Sequence, residues 1–304
     1  MLQFWHVCKA YKLDGCPSCI WSQKMKPINS VKTDINIIPV HFHGKPIVIF
    51  TFLFYFLISG FSISHGTTII VARNDTELFI GADSLMLVRS GGIPDKVINT
   101  CKIKQMNNFF IASENITSIV QKGNVVFDVY TIADKVFSKG GLVQDKIAEF
   151  DRTVTQNLES VIEYNRIKDK ASYIQNYTKG DKIVLGVIIV VVTNEYPVFF
   201  ERAYKVCNSI GEPTIVKVSR ATDRTNRLSP SDINVIFEGE YEAILKSTGK
   251  ISKTALKDKI IEWISLEAKE KPNKVGLPID ILRITTKGAE WIQRKPECQE
   301  IQQY

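Results

Sequence analysis

One segment limits the fold more than any other. From Lys182 to Val192 the chain reads KIVLGVIIVVV. An unbroken apolar, β-branched run of this kind predicts a strand buried on both faces, so the sheet that holds it has to be covered on each side. Hydrophobic residues are 44% of the 304 and charged residues 23%. Both values are near globular averages, and the chain has enough apolar material for a sizeable core.

The segments around that run alternate between turn residues and β-rich stretches. Thr67–Arg73 (TTIIVAR) predicts a strand, Asn74-Asp75 a turn, and Glu77–Asp83 (ELFIGAD) the second arm of a hairpin. Ser90-Gly91-Gly92 and Pro94 predict a loop, and Val97–Met106 and Phe109–Ser113 a strand pair about Asn107-Asn108. Val125, Val129, Ile132 and Val136 recur at helical spacing. After Gly140-Gly141, so do Ile147, Phe150, Val154, Leu158, Val161 and Ile162. Beyond the central run come strands over Val198–Val206 and near Thr214–Val218 and Ile233–Phe237. A helix carries Leu256, Ile260, Trp263 and Ile264 and stops before Pro272. A last hairpin joins Ile279–Thr285 to Ala289–Gln293. Strands grouped with strands, and helices with helices, predict an α+β fold with mainly antiparallel sheets.

Ahead of this lies a leader, residues 1–66. Ile47 to Ile63 is uncharged and apolar, Lys45 precedes it, and Ser59, Gly60, Ser62, Ser64 and Gly66 follow or close it. A cationic flank, an apolar run and small residues make an export signal or an uncleaved signal anchor, over about residues 46–64. Cutting after Ser64-x-Gly66 would leave Thr67 first; cutting after Ser62-x-Ser64 would leave His65 first. Met25 is an alternative start. The predicted domain then spans 67–295, with a tail over 296–304.

Composition narrows the chemistry. Net charge is +7, of which the leader's six Lys and two Asp supply +4. No dense basic patch interleaved with aromatics remains, so nucleic acid is not an expected partner. His6, His41, His43 and His65 are the only histidines and all precede Thr67. A Ser-His-Asp triad, a Cys-His pair or a His-bearing zinc site is therefore excluded within the domain. No metal or organic cofactor is expected. Cys16 and Cys19 form a lone CPSC in the leader, a weak signal. Cys101, Cys207 and Cys298 allow one disulfide and one thiol in an exported domain. The tripeptides at Asn74, Asn115 and Asn176 fit the glycosylation pattern and are read as chance.

Gly66-Thr67-Thr68-Ile69-Ile70-Val71, followed by Gly81-Ala82-Asp83-Ser84, resembles the start of mature proteasome β subunits and their bacterial relatives. These are N-terminal-nucleophile (Ntn) hydrolases. Val275-Gly276-Leu277-Pro278-Ile279-Asp280-Ile281 is similar to that family's approach to its final hairpin, and the likeness covers about residues 66–293. It implies a four-layer αββα sandwich and cleavage of peptide or small amide bonds. In that reading Thr67 is nucleophile and base, Asp83 the orienter and Lys102 the cation, with Lys96 the alternative. The chemistry is coherent without histidine: an α-amine has a pKa near 7.7–8.0, and a nearby ammonium favours its neutral form.

Three features depart from the family pattern. The Asp83–Lys102 interval is about three residues long for it. The oxyanion element reads Ala112-Ser113-Glu114-Asn115-Ile116, where Ile116 would crowd the approach. Glu238-Gly239-Glu240 stands where a Gly-Ser-Gly turn is expected. The alternative is a non-catalytic structural or binding module. The resemblance further implies a homo-oligomer. The leader implies a secreted protein, or one anchored in the membrane with its domain outside the cytoplasm.

Overall fold

The computed structural model describes residues 67–298, except 75, 91–92, 122–123, 169, 178–182, 194–196, 208–212, 223–232 and 248–254. The expected leader, with its apolar run, its CPSC and Met25, lies outside the described residues.

Two five-stranded sheets carry the fold. The first contains β1 (Thr68–Arg73), β2 (Glu77–Ala82), β12 (Asn234–Gly239), β13 (Asp280–Thr285) and β14 (Gly288–Gln293), in the order β12-β1-β2-β13-β14. The second contains β5 (Ile103–Met106), β6 (Phe109–Asn115), β9 (Ile183–Val191), β10 (Val198–Val206) and β11 (Val216–Thr222), in the order β11-β10-β9-β6-β5. Every pairing within both is antiparallel. The described chain is thus α+β with two antiparallel main sheets. Two small hairpins complete the strands: β3 (Leu85–Ser90) with β4 (Ile93–Asn99), and β7 (Ser118–Gln121) with β8 (Asn124–Asp128). The helices are α1 (Val129–Phe137), α2 (Val143–Lys168), α3 (Lys170–Tyr177), α4 (Glu242–Lys246) and α5 (Leu256–Glu270).

Side chains alternate along a strand, and three apolar clusters follow from that. Ile69, Val71, Leu78 and Ile80 of the first sheet gather with Phe110, Ala112, Ile188 and Val190 of the second. The intervening Ile70, Ala72 and Phe79 meet Ile260, Trp263 and Ile264 of α5. On the second sheet, Phe109, Ile111, Val187 and Ile189 meet Phe137 of α1 and Phe150, Val154 and Leu158 of α2. The central run is buried on both faces, as its composition predicts. Each fully buried aliphatic side chain of these clusters contributes about 1.5–3 kcal/mol.

Three elements differ from the sequence expectation. The strand expected over Val97–Met106 is broken, because Thr100, Cys101 and Lys102 lie between β4 and β5. Pro94, expected in a loop, is in β4. The helix expected from Val125 begins only at Val129, because Asp128 caps it: its carboxylate accepts from Thr131 N at 2.7 Å. Val125 belongs to β8 and is exposed.

Candidate active site

Thr67 immediately precedes β1, and Asp83 follows β2, so the first hairpin brings their backbones side by side. Asp83 N donates to Thr68 O at 3.2 Å. The Asp83 carboxylate is fully buried and takes two donors on each oxygen. Oδ1 accepts from Thr68 N at 2.9 Å and from Lys102 Nζ at 2.5 Å; Oδ2 accepts from Leu85 N and Gly276 N, both at 3.0 Å. With every lone-pair direction occupied, the carboxylate is fixed in place. Lys102 Nζ also donates to Thr67 Oγ1 at 3.0 Å. The three residues picked from the sequence therefore meet, as Asp83–Lys102–Thr67.

The long Asp83–Lys102 interval is absorbed by the β3–β4 hairpin. Thr100 N donates to Ser84 O at 2.8 Å and pins the hairpin's base, so its length does not alter where Lys102 arrives. Lys96, the alternative cation, sits on β4; Lys102 is the lysine that reaches Thr67. Burial lowers the pKa of Lys102 below that of an ordinary lysine, and the Asp83 charge opposes this.

The Glu238-Gly239-Glu240 stretch supports Thr67 from the other side. Glu240 N donates to Thr67 O at 2.6 Å, and Thr68 Oγ1 donates to Glu240 O at 2.7 Å. The Glu240 side chain is itself held by Lys271 at 2.5 Å and Lys274 at 3.0 Å. Gly239 has φ +82°, and a Cβ there would fall 1.9 Å from Thr67 O, so only glycine fits. Ile116 does not crowd the site. Its N–H bonds Val184 O at 3.0 Å, and its side chain packs on the cluster that joins α1 and α2 to the second sheet.

No protein-family model matches the chain, and no curated protein matches it.

Several site residues were not predicted. Glu114, on β6, is buried between Gly186 of β9 and Gly239 at the end of β12. A Cβ at Gly186 would meet Glu114 Oε1 at 2.5 Å, and one at Gly239 would meet Oε2 at 2.8 Å. Burial raises the Glu114 carboxyl to about 7, while a hydrogen bond from Glu238 and the Lys102 charge hold it from rising further. Burial, followed by the charges of Glu114 and Glu201, raises Glu238 well above its ordinary value. Burial thus favours the neutral form of both carboxyls. Lys295 is fully buried and pairs with Asp280 at 3.1 Å. Cys101 and Cys298 form a disulfide, although Cys298 falls in the expected tail. Cys207 is buried and outside that bond.

Two of the three glycosylation-type asparagines have other work. Asn74 is buried, and its side-chain carbonyl oxygen accepts from Thr76 N and Glu77 N of the turn, both at 2.9 Å. Asn115 Nδ2 donates to Glu114 Oε1 at 3.1 Å. Among the described residues no helix is long and apolar enough to cross a membrane, and no cluster of three or more Cys, Asp or Glu is arranged to hold a metal ion.

Proposed function

We propose that this chain is a proteasome-type threonine amidohydrolase with a four-layer αββα sandwich, exported or membrane-tethered, that cleaves peptide or small amide bonds. The observation that carries this is the Lys102 ammonium, 3.0 Å from the Thr67 hydroxyl and backed by a buried Asp83. The layer order is supported by the three clusters: helices α1–α3, the second sheet, the first sheet, then α4 and α5.

Cleavage after Gly66 frees the Thr67 α-amine. That amine takes the proton of Oγ1 as Oγ1 adds to the substrate carbonyl carbon. Lys102 stabilises the oxygen as its charge develops and disfavours a second cation on the amine. The amine then passes the proton to the leaving nitrogen, and the C–N bond breaks. An ester remains on Thr67, and water hydrolyses it by the same relay run in reverse order. The carbonyl oxygen needs a donor, and the backbone of the Ala112–Ile116 stretch, at the end of β6, is the candidate source of that N–H.

The disulfide supports an oxidising compartment, consistent with an export signal in the leader. The family likeness also suggests self-association, which gel filtration reads directly.

The competing reading is a non-catalytic module, favoured by the missing serine at Gly239. Protein matured to Thr67 separates the two. Thr67→Ala abolishes peptide-amide turnover and Thr67→Ser keeps part of it if Thr67 is the nucleophile. Turnover unchanged in Thr67→Ala removes Thr67 from the mechanism.

A further inference from the structure

Lys102 belongs to no strand. β4 ends at Asn99 and β5 begins at Ile103, so no ladder sets the direction in which the lysine points. Four consecutive residues of this segment are instead gripped one by one. Thr100 O accepts from Lys295 Nζ at 2.7 Å. Cys101 is bonded to Cys298. Lys102 O accepts from Tyr130 OH at 2.7 Å. Ile103 O accepts from Arg294 Nη1 at 3.2 Å.

Three of the four grips come from residues 294–298, just past β14. That piece is braced internally. Arg294 Nε donates to Cys298 O at 2.7 Å, Cys298 N to Lys295 O at 2.9 Å, and Lys295 N to Asp280 Oδ1 at 2.8 Å. Lys295 Nζ also reaches Asp83 O at 3.4 Å. A single buried ammonium therefore touches the backbone on both sides of the Asp83–Lys102 pair. Burying an ammonium is costly before it is paired, and apolar replacements of buried ion pairs are often neutral for stability. Stability alone does not explain a charge here; placement of two backbone carbonyls does.

We propose that Arg294–Cys298 is a positioning clamp: Lys295 and the Cys101–Cys298 disulfide hold Lys102 against Thr67, so that reducing this disulfide switches off hydrolysis without unfolding the domain. The proposal rests on Thr67 being the nucleophile. Reduction by dithiothreitol breaks the S–S bond, adds two electrons and two protons to give two thiols, and leaves the reagent as its cyclic disulfide. The sheet ladders are untouched, but the Lys102 segment is released. A displacement of about 1 Å at a reacting group costs roughly 100-fold in rate.

The test uses the full domain matured to Thr67, with kcat, KM, the pH profile of kcat/KM and far-ultraviolet circular dichroism measured together. The samples are wild type, wild type reduced after folding, Cys101→Ser/Cys298→Ser, the neutral pair Lys295→Met/Asp280→Asn, and Thr67→Ala. The clamp predicts that kcat falls about 30- to 100-fold in the reduced protein and in both double variants. KM stays within about threefold, the pH profile moves, the dichroism is unchanged, and re-oxidation restores turnover. If a double variant fails to fold, the reduced wild type gives the decision. A kcat within about twofold of wild type after reduction overturns the clamp. So does a loss of turnover that tracks a loss of dichroism, because the disulfide would then hold the fold and not the lysine. Wild type no more active than Thr67→Ala is a different failure: it removes the nucleophile, and the clamp's function with it.

Discussion

Two buried ion pairs, one joining a helix to the second sheet and the other joining the ends of the two sheets, are used differently. Arg202 on β10 meets Asp151 on α2; Lys102 meets Asp83. Their exposures are alike, 4% and 2% against 4% and 0%, so burial does not tell them apart. Their partners do. Asp151 accepts from Arg202 Nε at 3.0 and 3.2 Å and from Tyr204 OH at 3.1 Å. Those groups join a helix to its sheet, and a guanidinium does not give up its proton. Lys102 divides its donors between Asp83 and the hydroxyl of Thr67. An ammonium is a compact charge whose pKa shifts when buried, and it sits beside the one hydroxyl that a chain cut would give an α-amine. One pair is a closed joint, and the other is open toward a reacting atom.

That contrast can be broken in several places. The largest effect is expected from Lys102→Met. Amide turnover per folded molecule falls about 10³- to 10⁴-fold in kcat/KM, and urea unfolding also shows a loss of up to about 3–5 kcal/mol, because the buried Asp83 loses its counter-charge and keeps only its three backbone donors. Asp151→Asn should cost stability without the chemistry. It leaves Arg202 buried without its counter-charge and costs about 3–5 kcal/mol in urea unfolding. The kcat of the folded fraction stays within about twofold. Equal loss of activity from both variants would erase the distinction.

A smaller effect sharpens it. Gly239→Ala puts a Cβ into the Thr67 carbonyl at a positive φ. It should lower stability by about 1–3 kcal/mol and reduce kcat as well, which a comparable change in a distant turn would not.

The smallest effect concerns pH. Glu114 holds its proton up to about 7 in the fold against an ordinary 4.5, so the folded state binds the proton more tightly than the unfolded chain. Its contribution to stability is fully present below about 4.5 and is lost as pH rises to about 7. Glu238, Glu201, Glu240 and Lys102 face the same group. Comparing urea unfolding at pH 5 and pH 8, Glu114→Gln should lose less stability than wild type, by at most about 3 kcal/mol. An equal loss in both proteins would show that Glu114 does not titrate in this window.

The site was legible in the sequence where it depends on a hairpin and a short motif. Thr67 and Asp83 are joined by one tight turn, and the G-A-D-S element marks its end. Lys102 was legible by position, even though three extra residues intervene, because the Ser84–Thr100 bond closes the insertion. Glu114 gave no signal: a glutamate in an apolar strand has meaning only once Gly186 and Gly239 stand on either side of it, and these lie far along the chain. Lys295 was equally silent, and three cysteines allowed a disulfide without showing which two pair, since the partners are close to two hundred residues apart. The late start of α1 was legible and was missed. Asp128 carries a cap signal, but the apolar period running back to Val125 masked it.

Everything about catalysis depends on one threonine offering both a hydroxyl and a primary amine. Mass spectrometry of the N-terminal peptide from protein that is hydrolysing amides tests this directly. The account predicts Thr67 as the first residue, with an unmodified α-amine. Full turnover by chains that still carry Gly66 ahead of Thr67 would contradict it.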